Sequence, residues 1–229
     1  MAKKVMGHEV LAVIFQIRSN ALSALLWRRA KPPQTGAWAL PGGALGIHED
    51  LDDSIRRQLA QKVDVRELAH TEQLETRGTP DRYPGQRVLA TAYLGLIPAH
   101  LDPRAPADTA WHPADELPRT AFDHGDLVAS ARRRLRSKLS YTNLGFALVP
   151  PTFTLSELRD YYQAALGYGI SATNLQRVLI RRGQIEPTGE AAPSGRHGGR
   201  PAAVFRFRTR QLEVTDAFAV LRPPGAASG

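Results

Sequence analysis

The stretch that most limits what this chain can fold into runs from Trp38 to Val65, WALPGGALGIHEDLDDSIRRQLAQKVDV. Adjacent glycines at 42 and 43, after Leu40-Pro41, mark a tight backbone turn, and one amphipathic helix follows. Leu51, Ile55, Leu59 and Val63 repeat at every fourth position, which stacks them on one face that reads as core. Positions 58, 61 and 62 are three and four residues apart and share a different face, here occupied by Gln58, Gln61 and Lys62. Glu49, Asp50, Asp52 and Asp53 gather at the helix start, where negative charge suits the macrodipole.

Written as a pattern, the stretch resembles the Nudix box, G-x5-E-x7-R-E-U-x-E-E-x-G-U with U aliphatic. Gly43, Glu49 and Arg57 fall in frame, whereas Gln58, Gln61 and Lys62 stand where the box has three helix glutamates, and Asp64 where it has its last glycine. Carboxylates at that spacing could hold Mg²⁺ or Mn²⁺ against a pyrophosphate. Amide oxygens are weaker ligands, and an ammonium at position 62 repels a cation. The expectation is therefore a site without metal or cofactor and without hydrolysis, in which the turn still aims backbone N–H groups at an anion. If the pocket is used, the Lys62 ammonium takes over the metal's charge against a phosphate. The alternative is a divergent pyrophosphohydrolase of ADP-ribose or NADH working through Glu49 and other acids, against which Glu49 reads as a structural residue of the helix start.

A net charge of +8 and a pI near 10.2 make a polyanionic partner worth seeking, although charge alone does not separate nucleic acid from other polyanions. The absence of cysteine excludes disulfides and thiolate zinc sites, and the seven scattered histidines read as structural or solvated. No window has the length of apolar sequence that a membrane helix needs, and MAKKVMGHEV has no apolar signal core. These features predict a cytoplasmic protein with no membrane partner.

Along the chain, His8–Ile17 and Ala21–Trp27 read as strands around an Arg18-Ser19-Asn20 turn, with Val10, Ala12, Ile14, Leu25 and Leu26 facing a core. Arg28 and Arg29 end the second strand, and cations beside a glycine turn can meet phosphate oxygens. Trp38 is a candidate pocket wall, as well as an ordinary core residue. Residues 66–76 and 87–96 read as strands around a loop dense in turn formers, in which Arg77, Arg82 and Tyr83 could hold a phosphate and stack on a base. Candidate effector contacts are thus Arg28, Arg29, Trp38, Gly42, Gly43, Lys62, Arg77, Arg82 and Tyr83. A helix from Phe122, capped by Asp123, carries Arg132, Arg133, Arg134, Arg136 and Lys138, a cationic run that could contribute to phosphate binding or be a solvated face. Strands with helices on both sides imply an α/β sandwich.

Pro150-Pro151 predicts a domain boundary. Beyond it, Thr154-Leu155-Ser156-Glu157 is a capping box that opens a helix, Gly167-Tyr168-Gly169 is a turn, and Ser171 caps a second helix ended by Gly183. Leu175, Val178 and Leu179 form its buried stripe, opposite Thr173, Asn174, Arg177 and Arg181. That layout is a helix-turn-helix, and the strand from Ile185, the Gly/Pro-rich segment 187–200 and the alternating Ala203–Arg208 make a wing. Between Ser171 and Arg210 eight arginines face Glu186 and Glu190, a net of +6 within the chain's +8. Candidate DNA contacts are Ser171, Thr173, Asn174, Gln176, Arg177, Arg181, Arg182, Arg196, His197 and Arg200, cations for phosphates and short polar groups for base edges. The expected domains are 1–150 for effector binding and dimerisation and 151–222 for DNA, with a disordered tail, 223–229.

The segments WALPGG, EQLETRGTPDR, AFDHGDLV, RRLRSKLSYTN, PPTFTLSELRDYYQAALG, NLQRVLIRRG and GGRPAAVFRF together resemble the Nudix-related transcriptional regulators of NAD metabolism. These join a Nudix-like domain to a C-terminal winged helix. The resemblance implies a homodimeric repressor that binds a palindromic operator near NAD-biosynthesis genes and senses ADP-ribose or a related nucleotide. It places Gly42 and Gly43 in the family's glycine turn, Asn174, Arg177 and Arg181 on the recognition helix, and Gly199, Arg200 and Pro201 in the wing. The chain departs from the family's R-D-P-R-G loop, reading Arg82-Tyr83-Pro84-Gly85-Gln86 instead.

Overall fold

The computed structural model describes residues 6–192 and 201–216. Arg196, His197, Gly199 and Arg200, and the tail 223–229, lie outside the described residues. The chain forms two compact units, 1–134 and 135–229.

The first unit is built around β1 (Gly7–Arg18). It pairs antiparallel with β2 (Ala21–Arg28), through a turn in which Ser19 and Asn20 both take positive φ, 47° and 62°. Left-handed geometry at both central residues gives the turn the twist of its strands. β1 also pairs antiparallel with β4 (Gly42–Ala44) and parallel with β6 (Val88–Leu96). Short β3 (Trp38–Ala39) and β7 (Thr109–Pro113) join β2, and β5 (His70–Arg77) closes the far edge on β6. Alternation predicts that Val10, Ala12 and Ile14 face a core; the intervening Leu11, Val13 and Phe15 are buried as well. A central strand covered on both faces hides every side chain. One cover is α1 (Leu51–Val63), whose Ile55, Leu59 and Val63 pack on Val10, Ala12, Ile14 and Leu25.

α2 (His124–Tyr141) starts two residues later than the sequence suggests, and both oxygens of Asp123, the expected cap, accept hydrogen bonds from Arg82. Its cationic run is largely spent on protein partners: Arg132 pairs with Asp115, Arg133 donates to Ser130, and Arg134 donates to Glu72 and to the Leu74 carbonyl. These contacts tie the first part of α2 to the first unit and engage three of the five cations of the run.

The unit boundary falls inside α2, ahead of Pro150-Pro151. The segment between them is built into the second unit: Asn143 is buried, donates to the Gln211 carbonyl and accepts from the Glu213 N–H, each at 2.8 Å. Gly145 has to be glycine, since a Cβ there would lie 2.3 Å from the Tyr162 hydroxyl. β8 (Phe153–Thr154) leads into α3 (Leu155–Leu166), opened by the expected capping box of Thr154 and Glu157. Gly167 ends it at φ 76°, and Ser171 caps α4 (Ala172–Arg181). β9 (Ile185–Ala192) and β10 (Ala202–Phe207) complete a three-stranded sheet in the order β8-β10-β9. The strand expected from Ile185 runs through the first part of the Gly/Pro-rich segment, as far as Ala192. Pro187 is accommodated beside an irregularity of register between Ala203 and Phe205, where a missing N–H is tolerated.

Candidate effector pocket and DNA interface

In the first unit the glycine turn is forced by close approach. A Cβ on Gly42, which has φ +154°, would lie 2.1 Å from the Val10 carbonyl oxygen, and one on Gly43 would lie 2.7 Å from the Gln58 amide. This brings β4 onto the polar face of α1. Lys62 Nζ donates to the Gly42 carbonyl and lies 4.5 Å from the centre of the Trp27 ring. The Gln58 amide, in the orientation that satisfies its neighbours, donates to the same carbonyl at 3.2 Å with its oxygen toward Arg57. Burial lowers the Lys62 pKa, and the charge of nearby Arg29 lowers it further, opposed by Glu9. Arg29 itself donates to the Pro33 carbonyl at 3.0 Å, with its guanidinium 4.8 Å from the Phe122 ring. Arg28 donates to the Gly36 carbonyl at 2.8 Å and lies over Trp38, whose ring also meets His112 edge-on at 4.5 Å.

Glu49 is structural in this arrangement. Arg57 grips both its oxygens, at 2.5 and 2.8 Å, and the Gly46 N–H donates to it at 2.6 Å. Arg57 and Gly46 hold its pKa down to about 2. Asp50 caps α1 by accepting from the Asp53 N–H, and Asp52 accepts from the Tyr93 hydroxyl.

Three expected effector contacts, Arg77, Arg82 and Tyr83, are committed elsewhere. Arg82 is inward, its side chain only 2% exposed, and it bridges Glu9 and Asp123 at 2.7 Å each. Tyr83, expected to stack on a base, stacks on Phe122 with ring centroids 4.9 Å apart. Arg77 pairs with Glu75 and reaches Ser130 on α2. Of the predicted contacts, Lys62 sits on the glycine turn and feels the charge of Arg29, Arg28 meets Trp38, and Arg77 and Arg82 serve internal ion pairs. Sequence reasoning overlooked His124. It is fully buried, its Nδ1 accepts from the Leu40 N–H at 3.0 Å, and burial pushes its pKa down to about 3, so the ring is neutral. The AFDHGDLV segment was the only hint of its importance.

Asp123, like Glu49, is held below its ordinary value, by Arg82 against the opposing effect of burial. For a depressed carboxyl, the stabilisation is complete above the unfolded value and is lost as pH falls through the folded one. Starting from 4.5 for Glu49 and 3.8 for Asp123, the thermal midpoint should drop progressively on acidification toward about pH 2. Circular-dichroism melts across that range test this, and an Arg57→Ala variant should show a shallower dependence. A midpoint indifferent to pH there would contradict both ion pairs.

In the second unit, α4 exposes Ser171, Thr173, Asn174, Arg177 and Arg181, with Gln176 half-buried and Leu175 and Leu179 inward. Ser171 Oγ accepts from the Asn174 N–H, and Arg177 Nη2 donates to Asn174 Oδ1 at 2.9 Å, so two candidate readers are held side by side. Arg182 differs from its expected role: it donates to the Ser140 carbonyl and to Asp216, at 2.6 and 2.5 Å. The local excess of +6 also overstates the cations available. Glu186 accepts from both Arg206 and Arg208, which hold its carboxyl below the usual range, and Arg210 donates to the Phe146 carbonyl.

Comparison with known proteins joins the two units. Residues 7–133 match the NUDIX domain family, and 145–207 match the NrtR DNA-binding winged helix domain. The chain is 32% identical over 207 residues, 87% of its length and 81% of the relative's, to the ADPR responsive transcriptional repressor NtrR of Acinetobacter baylyi. It is similar to the structure of Shewanella oneidensis NrtR complexed with a 27mer DNA, at a TM-score of 0.76 and 29% identity, over 87% of this chain and 93% of that one. The NUDIX domain of the same Shewanella protein, complexed with ADP ribose, matches 58% of this chain and 91% of its own length at 33% identity and a TM-score of 0.52. With a Nudix domain followed by an NrtR-type winged helix, the chain belongs to the family of Nudix-related transcriptional repressors.

Proposed function

We propose that this protein is a transcriptional repressor that binds double-stranded DNA through α4 and its wing, and that its Nudix-like unit senses ADP-ribose or a related nucleotide without hydrolysing it. It acts as a homodimer on a palindromic operator of NAD-biosynthesis or salvage genes, in the cytoplasm at the nucleoid. The observation that carries the reading is the exposed face of α4, where Asn174 and Arg177 are pre-oriented by their mutual hydrogen bond. A DNA complex of a relative with this two-unit layout supports it, as does an ADP-ribose complex of the matching domain. Gln58, Gln61 and Lys62 in place of carboxylates favour sensing over hydrolysis.

A duplex from the gene's own promoter region should bind with a steep dependence on salt, because several phosphates are neutralised together. Fluorescence anisotropy at a series of salt concentrations, with and without ADP-ribose, measures this. A binding constant indifferent to salt and to duplex sequence would defeat the repressor reading. Incubation with ADP-ribose and Mg²⁺ or Mn²⁺ should yield no AMP; turnover abolished by Glu49→Gln would instead establish a hydrolase.

A further inference from the structure

The Nudix box implies a divalent ion beside α1, and the residues present do not fit one. Such an ion needs oxygen lone pairs. The face of α1 turned to β4 offers donors: the Lys62 ammonium and the Gln58 amide both point at the Gly42 carbonyl. Glu49, the acid that the box retains, has its oxygens taken by Arg57 and Gly46. Among the described residues, no three of His, Cys, Asp and Glu gather in a way that could hold a metal.

We propose that the pocket carries its own fixed cation, the Lys62 ammonium seated on the Gly42 carbonyl and the Trp27 ring, which with Arg29 binds the pyrophosphate of a nucleoside diphosphate without any divalent metal. This rests on the reading of the pocket as a nucleotide sensor. The seat immobilises the ammonium: a carbonyl accepts one of its hydrogen bonds and an aromatic face takes up part of its charge. Arg29 is anchored independently, on the Pro33 carbonyl and the Phe122 ring. Two cations held near each other in a half-buried place repel, and the lowered Lys62 pKa registers that repulsion along with burial. Glu9, the acid that opposes it, is already shared with Arg82. An arriving diphosphate relieves the repulsion and meets donors that need no rearrangement. Arg and Lys then divide the work, a planar fork on one phosphate and a point charge on the other.

The test is calorimetric titration of ADP-ribose into the full-length protein in EDTA and again in excess Mg²⁺. Equal affinity in the two buffers is expected, and Lys62→Met should weaken binding about tenfold or more in both. A triple variant, Gln58→Glu with Gln61→Glu and Lys62→Glu, should bind only when Mg²⁺ is present. Wild-type binding that appears only with Mg²⁺ overturns the proposal yet leaves the sensor reading intact. No binding in either buffer overturns both. Lys62→Met binding as tightly as wild type, or a triple variant indifferent to Mg²⁺, also overturns it. Should Lys62→Met melt far below wild type, the wild-type comparison between buffers still decides, together with Arg29→Met.

Discussion

Arg177→Ala should weaken binding to the operator by about 1–3 kcal/mol, roughly 5- to 150-fold in Kd, while random duplex is affected far less. Arg177 lies on the exposed face of α4, held by Asn174, whose side chain it also orients. A bidentate arginine in the major groove reads base edges, and its loss relaxes specificity at the positions it contacts. A phosphate-only contact would be lost equally from any duplex. Anisotropy titrations of operator and scrambled duplex at one salt concentration separate the two cases. Equal weakening on both would remove Arg177 from base reading and leave it as a backbone contact. Asn174→Ala should reproduce part of the effect, since it releases the arginine from its partner.

The second large effect expected is on stability. Arg82→Ala should destabilise the first unit by about 3–5 kcal/mol, because it strands two carboxylates that face one buried guanidinium. Glu9 and Asp123 keep side-chain exposures of 16% and 19%, which lets water recover some of the loss and argues for the lower part of that range. The loss also frees the loop between β5 and β6, which Arg82 pins to β1 and to the start of α2. All three tryptophans, at 27, 38 and 111, lie in the first unit, so urea unfolding followed by intrinsic fluorescence reports on it selectively. A midpoint shift worth under about 1 kcal/mol would place Arg82 with ordinary surface pairs.

The elements that could be read from the sequence are those fixed by neighbours. The stripe of α1, the Ser19-Asn20 turn, the capping box of α3 and the serine cap of α4 all depend on residues a few positions apart. Partners distant in sequence were invisible. Arg82 meets Glu9 and Asp123 across 73 and 41 residues, so nothing in the loop itself distinguished a buried anchor from a ligand contact. The same holds for Arg182, whose spacing on α4 fitted a DNA contact while its partners are Ser140 and Asp216. Tyr83 kept the stacking role that its chemistry suggested, but its ring partner is the chain's own Phe122. The net of +6 likewise counted Glu186 as one charge among others, whereas only the β9–β10 register sets it opposite Arg206.

The grip of Glu186 on Arg206 and Arg208 bears on how such a protein finds its target in a genome. Every cation exposed to solvent strengthens attachment to arbitrary DNA, and arbitrary sites outnumber operators by many orders of magnitude. Two arginines occupied by an internal carboxylate contribute less to that background. Molecules are then released sooner from irrelevant sequence, and a larger share of a small cellular pool remains available to the operator. The occupancy that silences a gene thus depends on charge the chain withholds as well as on charge it presents.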